Sequence, residues 1–253
     1  MAAINVKVEG NWPGAVTLRR GWSRAECRPW NSAVSAAHLR MLRGGTGFIG
    51  DCLMTLGTLG VEDVLSPPLP RSAQRPWLEA GFQMHSQLEL LRLDLNRIAA
   101  PDHLVAPGDL AHLAEALRID AAAFDPFWRF DRTAMLEALQ STPKSALHIV
   151  RRPDGHLAGF AITGLGTAIA YLQRVAVEPD WQGQGLGRSL VRTSAWWAKR
   201  NGARSLMLNT QVENTGAIAL YESEGFVTLP EPLAVLSAPA RSVAESVGNG
   251  RAS

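Results

Sequence analysis

The sequence predicts a mixed α/β protein built from two related halves. Three observations lead there. Apolar patterns of strand and helix type alternate through residues 103–236. A glycine-rich run, Gln182-Gly183-Gln184-Gly185-Leu186-Gly187, follows an apolar strand and opens a helix. The segment Trp77-Leu78-Glu79-Ala80-Gly81-Phe82 resembles Tyr221-Glu222-Ser223-Glu224-Gly225-Phe226, 144 positions later. The chain has 253 residues, 46% apolar and 19% charged, enough to bury a core.

The first half reads as a worn and shortened copy of the second. Gly44-Gly45-Thr46-Gly47-Phe48-Ile49-Gly50 is a loop, followed by a helix over 51–59, a strand over 61–65 and the Gly81-Phe82 turn. A linker falls at 99–102. Residues 103–106 are short and β-like, and Pro107-Gly108 breaks them. Residues 109–124 have helical spacing through Leu110, Leu113, Leu117 and Ala121, with Asp109 as N-cap. Asp125-Pro126 ends that helix. A second helix starts at Asp131 or Thr133 and stops at Ser141-Thr142-Pro143. Strands over 146–150 and 156–163 join at Pro153-Asp154-Gly155, and a third covers 168–177. The glycine run then leads into a helix over 188–200, closed by Asn201-Gly202. A strand over 205–209, a helix over 215–223 capped by Asn214, and short strands over 226–228 and 233–236 complete the order. The expected domains are 1–100, 101–237 and a disordered Ser/Ala/Gly-rich tail, 238–253.

Composition excludes several classes. Basic and acidic residues number 25 and 23, and no basic run marks a nucleic-acid partner. Only Lys7, Lys144 and Lys199 are lysines, which reads as coding bias. Two cysteines, Cys27 and Cys52, build neither a disulfide framework nor a zinc cluster and fit a cytoplasmic location. The six histidines show no metal-binding spacing. Met1-Ala2-Ala3-Ile4-Asn5 does not resemble a signal peptide. Residues 155–173 lack any charged side chain, yet their glycines suit two buried strands better than a membrane helix.

Glycines at 183, 185 and 187 let the backbone turn sharply and point several N–H groups one way. The helix dipole adds partial positive charge, so the loop suits a pyrophosphate. Position 188 is Arg188, so the dinucleotide pattern GxGxxG is not met, and GK[ST] is absent. A side chain added at Gly185 is expected to enter that seat.

The run from Val175-Ala176-Val177 to Gly187 resembles the acetyl-CoA signature, Q/R-x-x-G-x-G/A, of the GNAT acetyltransferase superfamily. Asn214-Thr215-Gly216-Ala217-Ile218-Ala219-Leu220-Tyr221-Glu222-Ser223-Glu224-Gly225-Phe226 is similar to that superfamily's N-x-x-A-x-x-L-Y-x-x-x-G-F. The resemblance covers 103–236, in the manner of the ribosomal-protein alanine N-acetyltransferases. The two-copy layout is similar to mycothiol synthase. It implies a tandem GNAT fold: a mixed, mostly antiparallel sheet flanked by helices, with a truncated, degenerate N-terminal copy. It also implies that Val175, Ala176 and Val177 splay from the next strand and pair with the pantetheine arm. Gln182, Gly183, Gln184, Gly185, Leu186, Gly187 and Arg188 would hold the pyrophosphate. Asn214 would contact the cofactor, cap its helix, or both. Tyr221 would donate a proton to the departing thiolate. Where the ribosomal-protein enzymes carry a glutamate base, twelve residues before the tyrosine, this chain has Asn209, left to orient a water or bind substrate.

Gly45-x-Gly47-x-x-Gly50, with Glu62 and Asp63 beyond it, matches the dinucleotide pattern but reads as a degenerate cofactor loop. Trp77 stands where the second copy has Tyr221, so the first half is structural or shapes a substrate cleft. Phe124, Phe127, Trp128 and Phe130 either border the acceptor site or pack ordinarily. The expected function is transfer of an acetyl group from acetyl-CoA to a primary amine, a peptide N-terminus or small molecule, by direct attack. No cysteine in the motif favours an acetyl-enzyme. The competing reading is a non-catalytic acyl-CoA-binding or scaffold protein. No nucleic-acid or membrane partner is expected.

Overall fold

The computed structural model describes residues 6–240. Contacts divide it into two compact units: residues up to Leu88 together with those from Glu231 onward, and Glu89–Pro230. The sequence put the division near 99–102 and kept 231–237 with the second half.

The first unit holds β1 (Lys7–Glu9), β2 (Val16–Arg20), β3 (Ser23–Pro29), β4 (Ala36–Arg43), α1 (Thr46–Thr58), β5 (Asp63–Leu65), β6 (Leu69–Pro70), α2 (Arg71–Glu79) and the start of β7 (Gln83–Asp94). Strands β1 to β4 form an antiparallel ladder that the sequence reading left unassigned. Strand β5 pairs parallel to β4, as a strand–helix–strand crossover requires. Helix α1 starts at Thr46, so Gly47 and Gly50 lie inside it rather than in a loop. The reason is burial: Phe48 and Ile49 are 1% exposed, and only the helix turns both into the core beside Leu53 and Leu56.

The second unit holds the rest of β7, β8 (Ala106–Gly108), α3 (Leu113–Ala123), α4 (Arg132–Gln140), β9 (Lys144–Arg151), β10 (Leu157–Leu165), β11 (Ile169–Val177), α5 (Leu186–Arg200), β12 (Ser205–Gln211), α6 (Thr215–Ser223) and β13 (Val227–Thr228). The strand order is β7-β12-β11-β10-β9-β8, and β13 pairs with β7. Strand β10 pairs antiparallel with β9 and β11, β9 with β8, and β13 with β7, while β11 pairs parallel with β12. Every residue of β10 is buried, because Leu157, Phe160 and Ile162 pack under α3 and α4 while Ala158, Ala161 and Leu165 pack under α5. That two-sided burial explains the absence of charge over 157–165.

The expected caps hold here, but the stripe expected for α3 does not: Leu110 and Ala121 are exposed, and the buried face is Leu113, Ala116, Ile119 and Asp120. Asp109 caps a 3-10 turn, Leu110–His112, that leads into α3. Asp131 accepts from the Ala134 N–H and starts α4. Pro107-Gly108, expected to break a strand, belongs to β8 instead. A Cβ on Gly108 would sit 2.9 Å from Leu147 and Ile149 side chains, so the close approach to β9 needs glycine.

The last strand, β14 (Leu233–Pro239), pairs with β5, β6 and β7 of the first unit. Residues 238 and 239, expected in the tail, are therefore strand, paired to Val64 and Asp63. Residues 1–5 and 241–253, including the expected leaderless start and most of the tail, lie outside the described residues. Among the described residues no helix is long and apolar enough to cross a membrane.

Candidate active site

Strand β11 pairs with β12 only from Ile169 to Tyr171, opposite Ser205 to Met207. Beyond Tyr171 the two strands part, while β11 stays paired with β10 to Val177. The backbone edge of Val175, Ala176 and Val177 is thereby left open on the β12 side. A bulge at Gln173, between the pairs Ile162–Arg174 and Thr163–Leu172, marks the onset of the divergence.

The splay opens a cavity of about 530 Å³, within the range of small-ligand sites. Its walls include Val175, Ala176, Val177, Gln182, Gly183, Gly185, Leu186, Gly187, Arg188, Asn214 and Tyr221. Eleven of the thirteen residues singled out in the sequence thus meet at one place. Gln184 does not line the cavity; it is exposed, at the loop's outer side. Asn209 does not line it either: it is an exposed residue of β12.

The loop has the geometry of an anion seat. Gly183 and Gly185 have φ of 75° and 82°, left-handed values that favour glycine. Gly185 is the N-cap of α5 and supplies no side-chain cap. The first helical bond runs from Ser189 N–H to the Gly185 carbonyl at 3.0 Å. The N–H groups of Leu186, Gly187 and Arg188 therefore have no acceptor within the helix. A Cβ on Gly185 would meet His103 Nε2 at 3.4 Å, so a side chain there heads for His103 and not for the seat as expected; the strain comes from φ. A Cβ on Gly187 would touch Val177 and Leu220, two cavity residues. The Gln182 amide donates to the Val177 carbonyl at 3.1 Å and ties the loop to the strand end.

Arg188 lines the cavity while ion-paired with Glu224 at 2.8 Å, and Glu224 also holds Arg192 at 2.7 Å. Asn214 caps α6 by accepting from the Ala217 N–H at 3.2 Å and also lines the cavity, so its capping role coexists with access to a ligand. Tyr221 is 9% exposed, and its hydroxyl has no hydrogen-bond partner among the described residues. Burial pushes its pKa up to about 12, with the Arg174 cation pulling the other way.

Among the residues lining the cavity none is Asp or Glu. Glu178 is instead ion-paired to Arg118 at 2.6 Å and to Arg152 at 3.5 Å. The sequence reading missed Arg174. Its guanidinium pairs with the fully buried Asp120 at 2.6 and 2.8 Å and donates to the Trp128 carbonyl at 2.8 Å. It lies between the rings of Phe124 and Phe130, 3.4 and 4.1 Å from their centroids. Asp120 in turn accepts from the Phe130 N–H at 2.7 Å. Phe124 and Ala123 are cavity wall, so of the four aromatics at the α3–α4 junction Phe124 lines the site and Phe130 packs behind it on Arg174. The available signal was a charged residue at an inward position of β11, between Leu172 and Ala176.

Residues 113–226 match the family model described as Acetyltransferase (GNAT) family. Over 73 residues, 29% of this chain, the sequence is 44% identical to the ribosomal protein bS18-alanine N-acetyltransferase of Escherichia coli (strain K12), covering 49% of it. The chain thus spans about half the length of that relative. A Bacillus subtilis (strain 168) protein provisionally assigned the same activity is 32% identical over 117 residues, 46% of this chain and 74% of its own length. The mycothiol acetyltransferase of Thermobifida fusca (strain YX) is 27% identical over 223 residues, 82% of this chain and 61% of its own length. A tandem GNAT protein from the clavulanic acid biosynthesis pathway shares the fold, with TM-score 0.64 and 15% identity over 90% of this chain and 82% of that one.

Proposed function

The chain belongs to the acetyltransferase (GNAT) family, and from that premise we propose that its Glu89–Pro230 unit moves an acetyl group from acetyl-CoA to a primary amine by direct attack. One observation carries the reading: a single cavity is lined at once by an open strand edge, an uncapped helix N-terminus and a buried phenol. The strand edge at Val175–Val177 suits the amides of a pantetheine arm. The N–H groups at the start of α5, with Arg188 beside them, suit a pyrophosphate. Acetyl-CoA supplies the activated acyl group; the amine nitrogen bonds to its carbonyl carbon as the C–S bond breaks, and the proton the nitrogen sheds ends, by way of solvent, on the departing thiolate, leaving the amide and free CoA thiol.

Tyr221 acts by stabilising the thiolate that leaves. A pKa near 12 keeps the phenol protonated at neutral pH. A thiol has a pKa of about 8.5, so complete proton transfer is uphill by roughly 5 kcal/mol. The phenol therefore works chiefly as a strong hydrogen-bond donor to developing negative charge, and the Arg174 cation lowers the cost of any transfer that occurs.

The attacking amine must be neutral, and no carboxylate lines the cavity to take its proton. This favours an acceptor of low pKa: a peptide α-amine or a small-molecule amine. Neutralising an α-amine of pKa about 8 at pH 7 costs about 1 kcal/mol, against about 5 kcal/mol for a lysine of pKa about 10.4. The test is thiol release from acetyl-CoA with matched peptides carrying either a free N-terminus or only a free lysine, from pH 6 to 9. The N-terminal peptide is expected to have the higher kcat/KM at neutral pH. Lysine preference would overturn the acceptor class. Tight CoA binding with no release for any amine would leave a binding protein rather than an enzyme.

A further inference from the structure

The segment between β7 and β8 runs along one face of α5. Lys199 Nζ donates to the Asn96 carbonyl at 3.0 Å, Trp196 Nε1 to the Ala99 carbonyl at 3.1 Å, and Arg192 to the Ala100 carbonyl at 2.9 Å. Ser189 Oγ accepts from the N–H groups of Asp102 and His103 at 3.2 and 3.1 Å. Positions 189, 192, 196 and 199 are spaced three and four apart, so they form one stripe of the helix. The stripe ends at the glycine loop, where the half-buried His103 reaches the Gln184 carbonyl through Nε2 at 2.8 Å. A carbonyl oxygen only accepts, so Nε2 carries the proton and donates.

The consequence follows from peptide geometry. In a trans peptide the C=O and the following N–H point to opposite sides. Holding the Gln184 oxygen on the His103 side turns the Gly185 N–H away from it. Gly185 lines the cavity, and its Cβ direction faces His103. We propose that His103 is a positioning residue for the donor site: its ring fixes the Gln184–Gly185 peptide so that the Gly185 N–H joins those of Leu186, Gly187 and Arg188 as a ready-made pyrophosphate seat. The inference rests on reading residues 182–188 as that seat. Without the ring, the Gln184–Gly185 peptide has no side chain holding its carbonyl and Gly185, with φ of 82°, gives it freedom to turn, so the seat must be ordered at the moment of binding.

The experiment uses the full chain with His103→Leu and His103→Ala, which remove the donor, and His103→Gln, whose amide can restore it. CoA affinity is measured by titration calorimetry, and steady-state kinetics are compared for acetyl-CoA and for acetyl-pantetheine, which lacks the pyrophosphate. The expected result is five- to tenfold weaker CoA binding and higher KM for acetyl-CoA in the Leu and Ala variants, the worth of about one hydrogen bond. Their kcat should hold, acetyl-pantetheine kinetics should match wild type, and Gln should recover most of the loss. Unchanged CoA affinity in both donor-less variants, or equal losses with both donors, would overturn the role of His103. Failure of the wild type itself to bind CoA would instead remove the donor site, and this inference with it.

Discussion

Tyr221 and His148 are both buried and titratable, and among the described residues neither the Tyr221 hydroxyl nor His148 Nε2 has a hydrogen-bond partner, yet their surroundings make them different things. Tyr221 faces the cavity, so its unpaired hydroxyl is available to a ligand. Tyr221→Phe is expected to lower kcat by about 10²-fold or more while acetyl-CoA affinity changes little, since the donor matters only once charge develops on sulfur. With the phenol's pKa raised to about 12, its deprotonation should not limit kcat below about pH 10. An unchanged kcat under rate-limiting chemistry would reduce Tyr221 to packing. His148 instead sits in β9, with its ring edge-on to Trp197 at 6.2 Å. Burial pulls its pKa down to about 4 from 6.5. Above pH 6.5 both folded and unfolded states hold the neutral ring, and no difference arises. As pH falls from 6.5 to 4 the unfolded state gains a proton that the folded state resists, so stability is lost, by about 3 kcal/mol at the lower end. His148→Phe should flatten that part of the stability curve, measured by denaturant unfolding at pH 7 and 4.5. A variant with the wild-type slope would place the acid sensitivity elsewhere.

Two helices and a strand are joined by one buried ion pair. Asp120 comes from α3, Arg174 from β11, and the pair also grips the carbonyl of Trp128 and the N–H of Phe130 in the segment leading to α4. Removing one partner strands the other charge at a buried position. Asp120→Asn is therefore expected to cost about 3–5 kcal/mol. It should also loosen the Phe124 wall and raise the acceptor KM more than the acetyl-CoA KM. The double replacement Asp120→Leu with Arg174→Met should recover much of the stability but not the acceptor KM. Thermal melts and initial-rate kinetics on the three proteins check this. A melting temperature for Asp120→Asn equal to wild type would mean that the pair is hydrated and carries little.

At the scale of the whole chain, the two units share several local features. Phe82 N–H bonds to the Trp77 carbonyl at 3.1 Å, and Phe226 N–H to the Tyr221 carbonyl at 3.0 Å; the two ring pairs lie 4.9 and 5.5 Å apart. Parallel pairs β4–β5 and β11–β12 match, and α1 and α5 both start after a glycine N-cap without a side-chain cap. The third helical position differs: buried Phe48 in α1, cavity-lining Arg188 in α5. An apolar ring turned into the core adds no charge for a phosphate, and Trp77 has no acidic proton. One equivalent of CoA per chain is expected in calorimetry, held by the Glu89–Pro230 unit. Two equivalents would show that the first unit also holds a donor site.

What the sequence determined by itself is local. The glycine turn at 183–187 and the caps Asp109 and Asn214, with Asp131 one of two candidates, depend on residues a few positions apart and could be named before any fold was known; of the glycines, 183 and 185 take the left-handed turn and Gly187 is helical. The apolar strand before the loop and the tyrosine seven residues past its cap were marked by the resemblance of two motifs to the GNAT superfamily, and the residues so marked line one cavity, so most of the candidate site was legible. Tertiary structure decided what spans long separations. Arg174 meets Asp120 across 54 residues, His103 meets Gln184 across 81, and Leu236 N–H reaches Ser66 Oγ across 170, placing the last strand in the first unit. It also left Asn209 exposed on β12 and outside the cavity lining, although its match to the glutamate base of the ribosomal-protein enzymes had marked it as a site residue. No periodicity records such meetings, because they depend on how strands register and sheets close, and side chains distant in the chain meet only when the whole fold has formed.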